Sequence, residues 1–106
     1  FGGDIEIIVG INLQKEITGV EILSIDETVG LGMNAKNEEF RNQYVGKKVD
    51  HFQVVKNGKQ NEDEVDSLSG ATITSKAMTN GINGALDFYD LLKGRWKYEE
   101  VFKTFI

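Results

Sequence analysis

Two apolar stretches near the start of the chain constrain the fold more than any other feature. Residues 4–13 place Ile5, Ile7, Val9, Ile11 and Leu13 on alternate positions. That period is typical of a strand with one buried face. After a short polar turn, residues 17–26 form a second β-rich run. Together the two runs predict a β-hairpin.

A long amphipathic helix is the second constraint. From about Thr74 to Leu92, apolar residues recur at spacings of three and four, which places them on one helical face. These residues are Met78, Ile82, Ala85, Leu86, Tyr89 and Leu92. The sequence therefore predicts an α+β fold, in which a small, mainly antiparallel sheet is covered by this helix. A chain of 106 residues is the size of one domain, and we expect residues 1–106 to form a single one.

The remaining segments carry weaker patterns. Residues 37–47 predict a short helix that ends near Gly46, and residues 48–55 predict a third strand. Residues 27–36 and 56–64 predict loops, because glycine and polar residues dominate both. The tail, from residue 94 onwards, predicts a final helix or strand.

Composition excludes several classes of protein. A net charge of −5 argues against nucleic acid as a partner and against an anionic membrane surface. With no cysteine and one histidine, thiolate metal sites and cysteine nucleophiles are ruled out, and no metal site is predicted. No run approaches the length of a transmembrane helix. Because the chain begins inside a strand-like pattern, we expect a domain excised from a longer chain, from which an upstream anchor could have been removed.

A cluster of hydroxyl residues precedes the long helix in "DSLSGATITSK", residues 66–76. One interpretation is plain capping of the helix by Thr74 or Ser75. Another is a serine or threonine nucleophile, but this needs a base, and His51 is the single histidine. A third is phosphate binding at the helix N-terminus, where free N–H groups favour an anion. These residues alone leave the three interpretations open.

Two motifs carry a resemblance to a known family. Residues 66–72 resemble the D-x-x-[ST]-G-A-T motif at which a flavin transferase esterifies FMN onto threonine. Upstream, "ITGVEILSIDETVGLG" followed by "F..QYVGK" is similar to the pattern around the E-T-P-G-L-G loop of the same FMN-binding domain family. That family includes the G subunit of the Rnf electron-transport complex and the C subunit of the sodium-pumping NADH:quinone oxidoreductase.

The resemblance implies roles for individual residues. Thr72 would carry FMN through a phosphodiester-like link, and Asp66 would be part of what the transferase recognises. The implied cofactor-binding residues are Ser69, Gly70, Ala71, Thr74 and Ser75 around the phosphate, and Glu27, Thr28, Gly30, Leu31 and Gly32 in a loop near the flavin. Position 29 is valine where the family has proline, so this loop lacks the φ restraint of a proline ring.

The function that the resemblance implies is electron transfer. A separate flavin transferase, using FAD and magnesium, would load the domain, and expression without it would give the apo form. The domain would relay electrons to other subunits of an ion-translocating complex at the extracytoplasmic face of a bacterial membrane. It would contain no catalytic residues of its own. Two alternatives are a flavinylated domain of an extracellular electron-transfer protein and a non-redox module that binds a phosphate ligand non-covalently.

Overall fold

The computed structural model describes residues 5–25, 38–56, 58–67, 72–92 and 100–105, and the backbone alone at residues 5, 24, 25 and 100–105. The elements are β1 (Ile5–Ile11), β2 (Ile17–Ile25), α1 (Glu38–Arg41), β3 (Gln53–Val55), β4 (Glu64–Asp66), α2 (Thr72–Leu92) and β5 (Glu100–Phe105). The predicted hairpin, the long helix and the α+β class are confirmed. The predicted loop at residues 27–36 lies outside the described residues.

The larger sheet has three antiparallel strands in the order β2-β1-β5. Ile7, Val9 and Ile11 of β1 are fully buried, as their alternation predicts. The pairing with β2 shifts register at two points, between Glu6 and Ile7 and between Gly10 and Ile11. Such shifts exchange the faces of a strand, which explains why buried residues of β2 do not simply alternate.

The helix α2 covers this sheet and also packs against β3. Its buried face includes Met78, Ile82, Ala85, Leu86 and Tyr89, which join the strands in one hydrophobic core. The Tyr89 hydroxyl donates to the backbone oxygen of Leu13, 2.9 Å away. The C-terminal half of the helix is thereby joined to the turn of the hairpin.

Lys15 makes a second connection between that turn and the helix. Its φ of 62° lies in the left-handed region. The Nζ atom lies 2.8 Å from Asp90 and 3.2 Å from Asp50. Partial burial lowers the pKa of Lys15, but the two carboxylates outweigh this effect and leave the pKa above its ordinary value.

The predicted helix over residues 37–47 is shorter than expected. After Arg41 the chain continues through tighter turns, in which Gln43, Tyr44 and Val45 donate to carbonyls three residues back. The segment ends at Gly46, whose φ is 82°. Gly46 N donates to Ile17 O at 2.7 Å, which joins this end to β2.

The predicted third strand is likewise shorter, and β4 was not predicted. Residues 48–52 lie outside β3, and β3 pairs in parallel with β4, a strand within and just beyond the predicted polar loop. Glu64, the first residue of β4, accepts hydrogen bonds from the backbone N–H groups of Gln60 and Asn61. These donors lower the pKa of the Glu64 carboxyl.

Within the described ranges, no helix is long and apolar enough to cross a membrane.

Candidate functional site

The N-terminus of α2 is the centre of the candidate site. The helix begins at Thr72 and runs for 21 residues, with no acidic residue in its first turn. The first four N–H groups of an α-helix have no acceptor within the helix. These donors and the helix dipole favour an anion at this end. Because no carboxylate of the first turn competes for them, the arrangement fits a phosphate group.

Thr72 is the first residue of the helix and is only partly buried. A hydroxyl at this place lies at the N-terminal end of the helix and is partly accessible to solvent. The structure therefore allows modification of the Thr72 oxygen without unfolding of the helix.

Thr74 and Ser75 lie deeper in the first turns. Their exposed fractions are 2% and 0%, and both side chains make polar or packing interactions. Because the helix begins at Thr72, two residues before the predicted start, neither residue stands at the position that precedes a helix. The interpretation of either as the N-terminal cap is wrong for that reason.

Beneath this turn, a buried chain of hydroxyl groups ties the helix to the core. Thr79 Oγ1 donates to the backbone oxygen of Ser75 at 2.8 Å. The hydroxyl of Tyr44 lies 2.7 Å from the same Oγ1 atom. Because Thr79 uses its one hydrogen on Ser75, Tyr44 is the donor in the second bond. The Tyr44 ring packs edge-on against Phe40 and Phe52.

Asp66 is the last residue of β4 and lies six positions before Thr72. Its Oδ1 atom is buried and has no hydrogen-bond partner in the described part of the chain. Its backbone N–H donates to Gln43 Oε1 at 2.8 Å, and its carbonyl accepts from Gln43 Nε2 at 3.1 Å. An unpaired buried carboxylate oxygen is rare and calls for an explanation.

The hydrolytic interpretation has no support in the geometry. His51 Nε2 lies 2.6 Å from Asp87 Oδ1, and both side chains are exposed. Asp87 follows Thr72 by fifteen residues, which is about 22 Å along a helix. The histidine is therefore paired far from the hydroxyl that would need it. Among the described residues, no group of histidine and acidic side chains could hold a metal ion.

The predicted site residues divide into two groups. Asp66, Thr72, Thr74 and Ser75 are described, and three of them lie in the first turns of α2. The others lie outside the described residues: Ser69, Gly70, Ala71, Glu27, Thr28, Gly30, Leu31 and Gly32. Gln43 was not among the predicted site residues, although it belongs to the "F..QYVGK" stretch. Its contact with Asp66 arises from the tertiary fold, so spacing alone carried no signal for it.

Comparisons with known proteins agree with the motifs. The model of the FMN-binding domain family matches residues 1–87. The G subunit of the proton-translocating ferredoxin:NAD(+) oxidoreductase complex of Clostridium ljungdahlii is 41% identical over 87 residues, which cover 82% of this chain and 46% of that protein. The G subunit of the Na(+)-translocating ferredoxin:NAD(+) oxidoreductase complex of Acetobacterium woodii is 35% identical over 94 residues, which cover 87% and 45%.

A third relative comes from the other complex that the motifs suggested. The C subunit of the Na(+)-translocating NADH-quinone reductase of Vibrio parahaemolyticus is 40% identical over 81 residues, which cover 69% of this chain and 30% of that protein. The chain belongs to the FMN-binding domain family, and the resemblance inferred from its sequence is confirmed. It spans less than half the length of each of these three relatives.

The described residues fit the FMN phosphate. The start of α2 offers N–H donors and a hydroxyl, and it has no acidic side chain in its first turn. The buried Oδ1 of Asp66 lies in the same motif and has no donor among the described residues.

Proposed function

We propose that this chain is an electron-carrier domain that holds FMN covalently through a phosphoester to Thr72. The observation that carries the proposal is the place of Thr72 as the partly buried first residue of α2, with no acid in the first turn. Membership of the FMN-binding domain family supports the choice of cofactor. We further propose that residues 1–106 form one such domain.

The phosphate would be held by the start of the helix. After esterification it keeps about one negative charge, which a helix N-terminus stabilises by about 0.3–1 kcal/mol. Ser69, Gly70 and Ala71 are small, so their backbone would let the phosphate approach closely. Thr74 and Ser75 follow in the first turns and would donate hydroxyl hydrogen bonds to its oxygens.

Attachment would require a second protein, because the described residues supply no base for the Thr72 hydroxyl. We propose a flavin transferase that uses FAD and magnesium. The Thr72 oxygen would form a bond to the phosphorus on the riboflavin side of FAD, while the pyrophosphate P–O bond breaks. AMP would leave and the hydroxyl proton would pass to it overall, so the domain gains one FMN minus one water. Asp66, whose Oδ1 atom is buried without a partner among the described residues, would be part of what the transferase recognises.

The bound flavin would supply reversible electron uptake and release, and the protein would supply placement and tuning. Glu27, Thr28, Gly30, Leu31 and Gly32 would contact the ring system and limit its access to water. Val29 leaves that loop without a proline restraint. No acid–base pair is needed, so the domain would have no catalytic residue of its own.

The partners that we propose are other subunits of an ion-translocating membrane complex. The relatives are subunits of complexes that translocate protons or sodium ions, by their names. We propose that the domain works at the extracytoplasmic face, joined to the membrane through an anchor. Covalent attachment suits that place, because a flavin that dissociated there could not be replaced from the cytoplasm. The net charge of −5 suits docking onto a basic surface.

The test is the intact mass of protein that is co-expressed with a flavin transferase. We expect a gain of one FMN minus one water, and yellow fluorescence that persists in a denaturing gel. Thr72→Val should abolish both, because it removes the attacking oxygen and keeps the shape. Thr74→Val is the matched control and should keep the mass gain, and expression without the transferase should give none. An unmodified wild-type protein from the co-expression would contradict the proposal, and loss with Thr74→Val alone would move the site by two positions.

A further inference from the structure

The side chain of Gln43 makes two hydrogen bonds to the backbone of a single residue, Asp66. The Asp66 N–H donates to Gln43 Oε1 at 2.8 Å, and Gln43 Nε2 donates to the Asp66 carbonyl at 3.1 Å. Asp66 opens the motif that ends at Thr72. We refer to this pair of hydrogen bonds as the Gln43 clamp.

The clamp occupies the free edge of β4. On the other edge, Ser67 N donates to Val55 O at 3.0 Å and Gln53 N donates to Asp63 O at 2.8 Å. Backbone groups of alternate residues in a strand face opposite edges, so the N–H and carbonyl of Asp66 face away from β3. There the carboxamide of Gln43 takes the place of a neighbouring strand.

A carboxamide is needed for this task, because it carries a donor and an acceptor on adjacent atoms. The backbone of Gln43 is itself fixed, since its N–H donates to Phe40 O at 3.2 Å. Phe40 and Tyr44, on either side of it, are buried in the hydrophobic core. The clamp therefore fixes the backbone of Asp66 relative to the hydrophobic core.

The position of Asp66 matters because one oxygen of its side chain accepts no hydrogen bond from the described residues. Its Oδ1 atom is buried without a partner among the described residues. Such an atom costs free energy unless a donor reaches it. The clamp holds the backbone and so fixes the carboxylate in place, while this buried oxygen still lacks a donor among the described residues.

We propose that Gln43 is a positioning residue for the transfer of FMN to Thr72. It holds Asp66 in one arrangement, so that the transferase meets the start of the motif in a fixed position. This inference rests on the proposed function, and it adds a residue that lies outside both the motif and the helix. Gln43 acts through Asp66 and touches neither the reacting oxygen nor the phosphorus.

The test compares two amide clamps in the same domain. Asn83 makes an equivalent pair of bonds to Phe52, accepting from its N–H at 2.7 Å and donating to its carbonyl at 2.9 Å. Gln43→Met and Asn83→Leu each remove one clamp with little change of shape. With purified transferase and FAD, we expect Gln43→Met to lower kcat/KM for the domain by about tenfold, mainly through KM, and Asn83→Leu to change it by less than about twofold.

Amide hydrogen exchange supplies a readout that does not depend on flavin. In Gln43→Met the Asp66 N–H loses its acceptor, and its exchange should speed up by about tenfold or more, with no such change in Asn83→Leu. Should Gln43→Met fail to fold, Gln43→Glu is used in its place. That variant keeps the acceptor for the Asp66 N–H and loses the donor to its carbonyl.

Three results would overturn the inference: transfer to the folded Gln43 variant at the wild-type rate, an equal loss in Asn83→Leu, or unchanged exchange at Asp66 in Gln43→Met. In each case wild-type protein would still gain FMN at Thr72. Failure of the proposed function would look different, since wild-type protein itself would then remain unmodified.

Discussion

Thr79 shows how a single buried residue joins the helix to the core. It donates to Ser75 O and accepts from the Tyr44 hydroxyl, and its exposed fraction is 2%. Thr79 Oγ1 takes part in both hydrogen bonds, so the three residues do not contribute independently. The relay lies directly under the turn that begins at Thr72, which makes it a support of the candidate site.

Removal of the Tyr44 hydroxyl and removal of the Thr79 hydroxyl should have unequal effects on stability. Tyr44→Phe deletes a donor and leaves Thr79 bonded to Ser75, so we expect a loss of about 1 kcal/mol in the free energy of unfolding. Thr79→Val leaves the buried Tyr44 hydroxyl without an acceptor, so we expect a larger loss, of about 2–3 kcal/mol. Urea denaturation of both variants measures the difference. Equal losses would contradict the assignment of Tyr44 as the donor.

Tyr44 also predicts how stability changes at high pH. Burial raises the pKa of Tyr44, and its hydrogen bond with Thr79 offsets part of that rise. The folded state therefore keeps a proton that the unfolded state releases above pH 10 or so, the ordinary value for tyrosine. The stabilisation is complete below that pH and declines as the pH rises further. In the same denaturation series, the difference between wild type and Tyr44→Phe should shrink above about pH 10, and a constant difference would contradict this.

At the residue scale, the sequence was most informative where chemistry is encoded locally. The motif from Asp66 to Thr72 led by resemblance to the proposed acceptor segment, because its residues are contiguous. Gln43 could not be found that way, since its partner lies 23 positions along the chain. A glutamine in a short helical stretch has many surface uses, and its clamp becomes evident only when β4 is folded beside it.

Among the elements, the β1–β2 hairpin contains a close approach between Gly10 and the side chain of Thr18. Gly10 and Gly19 lie opposite each other, next to a register shift. A Cβ atom on Gly10 would lie 2.5 Å from Thr18 Oγ1, whereas one on Gly19 would meet nothing within 4 Å. The two glycines are thus a matched pair with different surroundings.

Substitution of these glycines should separate crowding from chain entropy. Gly10→Ala is expected to destabilise the domain by about 1–3 kcal/mol through overpacking. Gly19→Ala should be neutral or stabilise it by about 0.5–1 kcal/mol, because alanine loses less backbone freedom on folding. Thermal unfolding of both variants measures this. In a Thr18→Ala background the cost at Gly10 should largely vanish, and its persistence would show that Thr18 is not the obstacle.

Element prediction succeeded where a period extends over seven residues or more. The strand β1 and the helix α2 each present a continuous apolar face, and β2 is a long β-rich run, so the sequence pattern indicated all three. The strand β4 has a single buried residue, Val65, between two acids. Its strand geometry comes from its pairing with β3 and from the clamp, which no local pattern encodes. The segment after Arg41 tightens because Gly46 is held by β2.

For the molecule as a whole, a single core predicts cooperative unfolding. Residues of β1, β2, α1, β4 and α2 belong to one buried cluster, together with Tyr44 and Phe52. No described element has a separate core of its own. The hairpin, the short parallel pair and the helix are therefore expected to lose their structure together.

Two leucines on opposite faces of α2 test that expectation. Leu86 is 0% exposed and Leu91 is 76% exposed. Leu86→Ala should lower the free energy of unfolding by about 2–5 kcal/mol, with an unchanged denaturant slope. Leu91→Ala should change it by less than about 0.5 kcal/mol. A biphasic urea curve for Leu86→Ala, followed by far-ultraviolet circular dichroism, would indicate two independent units instead.

The beginning of α2 at Thr72 bears on how far a tethered cofactor can swing. A threonine in a helix has few side-chain rotamers, since its Cβ is branched, and the helix below it is seated in the core. The Thr72 side chain, where the cofactor would be attached, therefore has little freedom to rotate. The rotatable bonds of the phosphodiester would supply most of the flexibility. Under our proposal, the short phosphodiester linker sets how far the flavin can move toward a docked partner. The helix and the core beneath it stay in place during electron exchange.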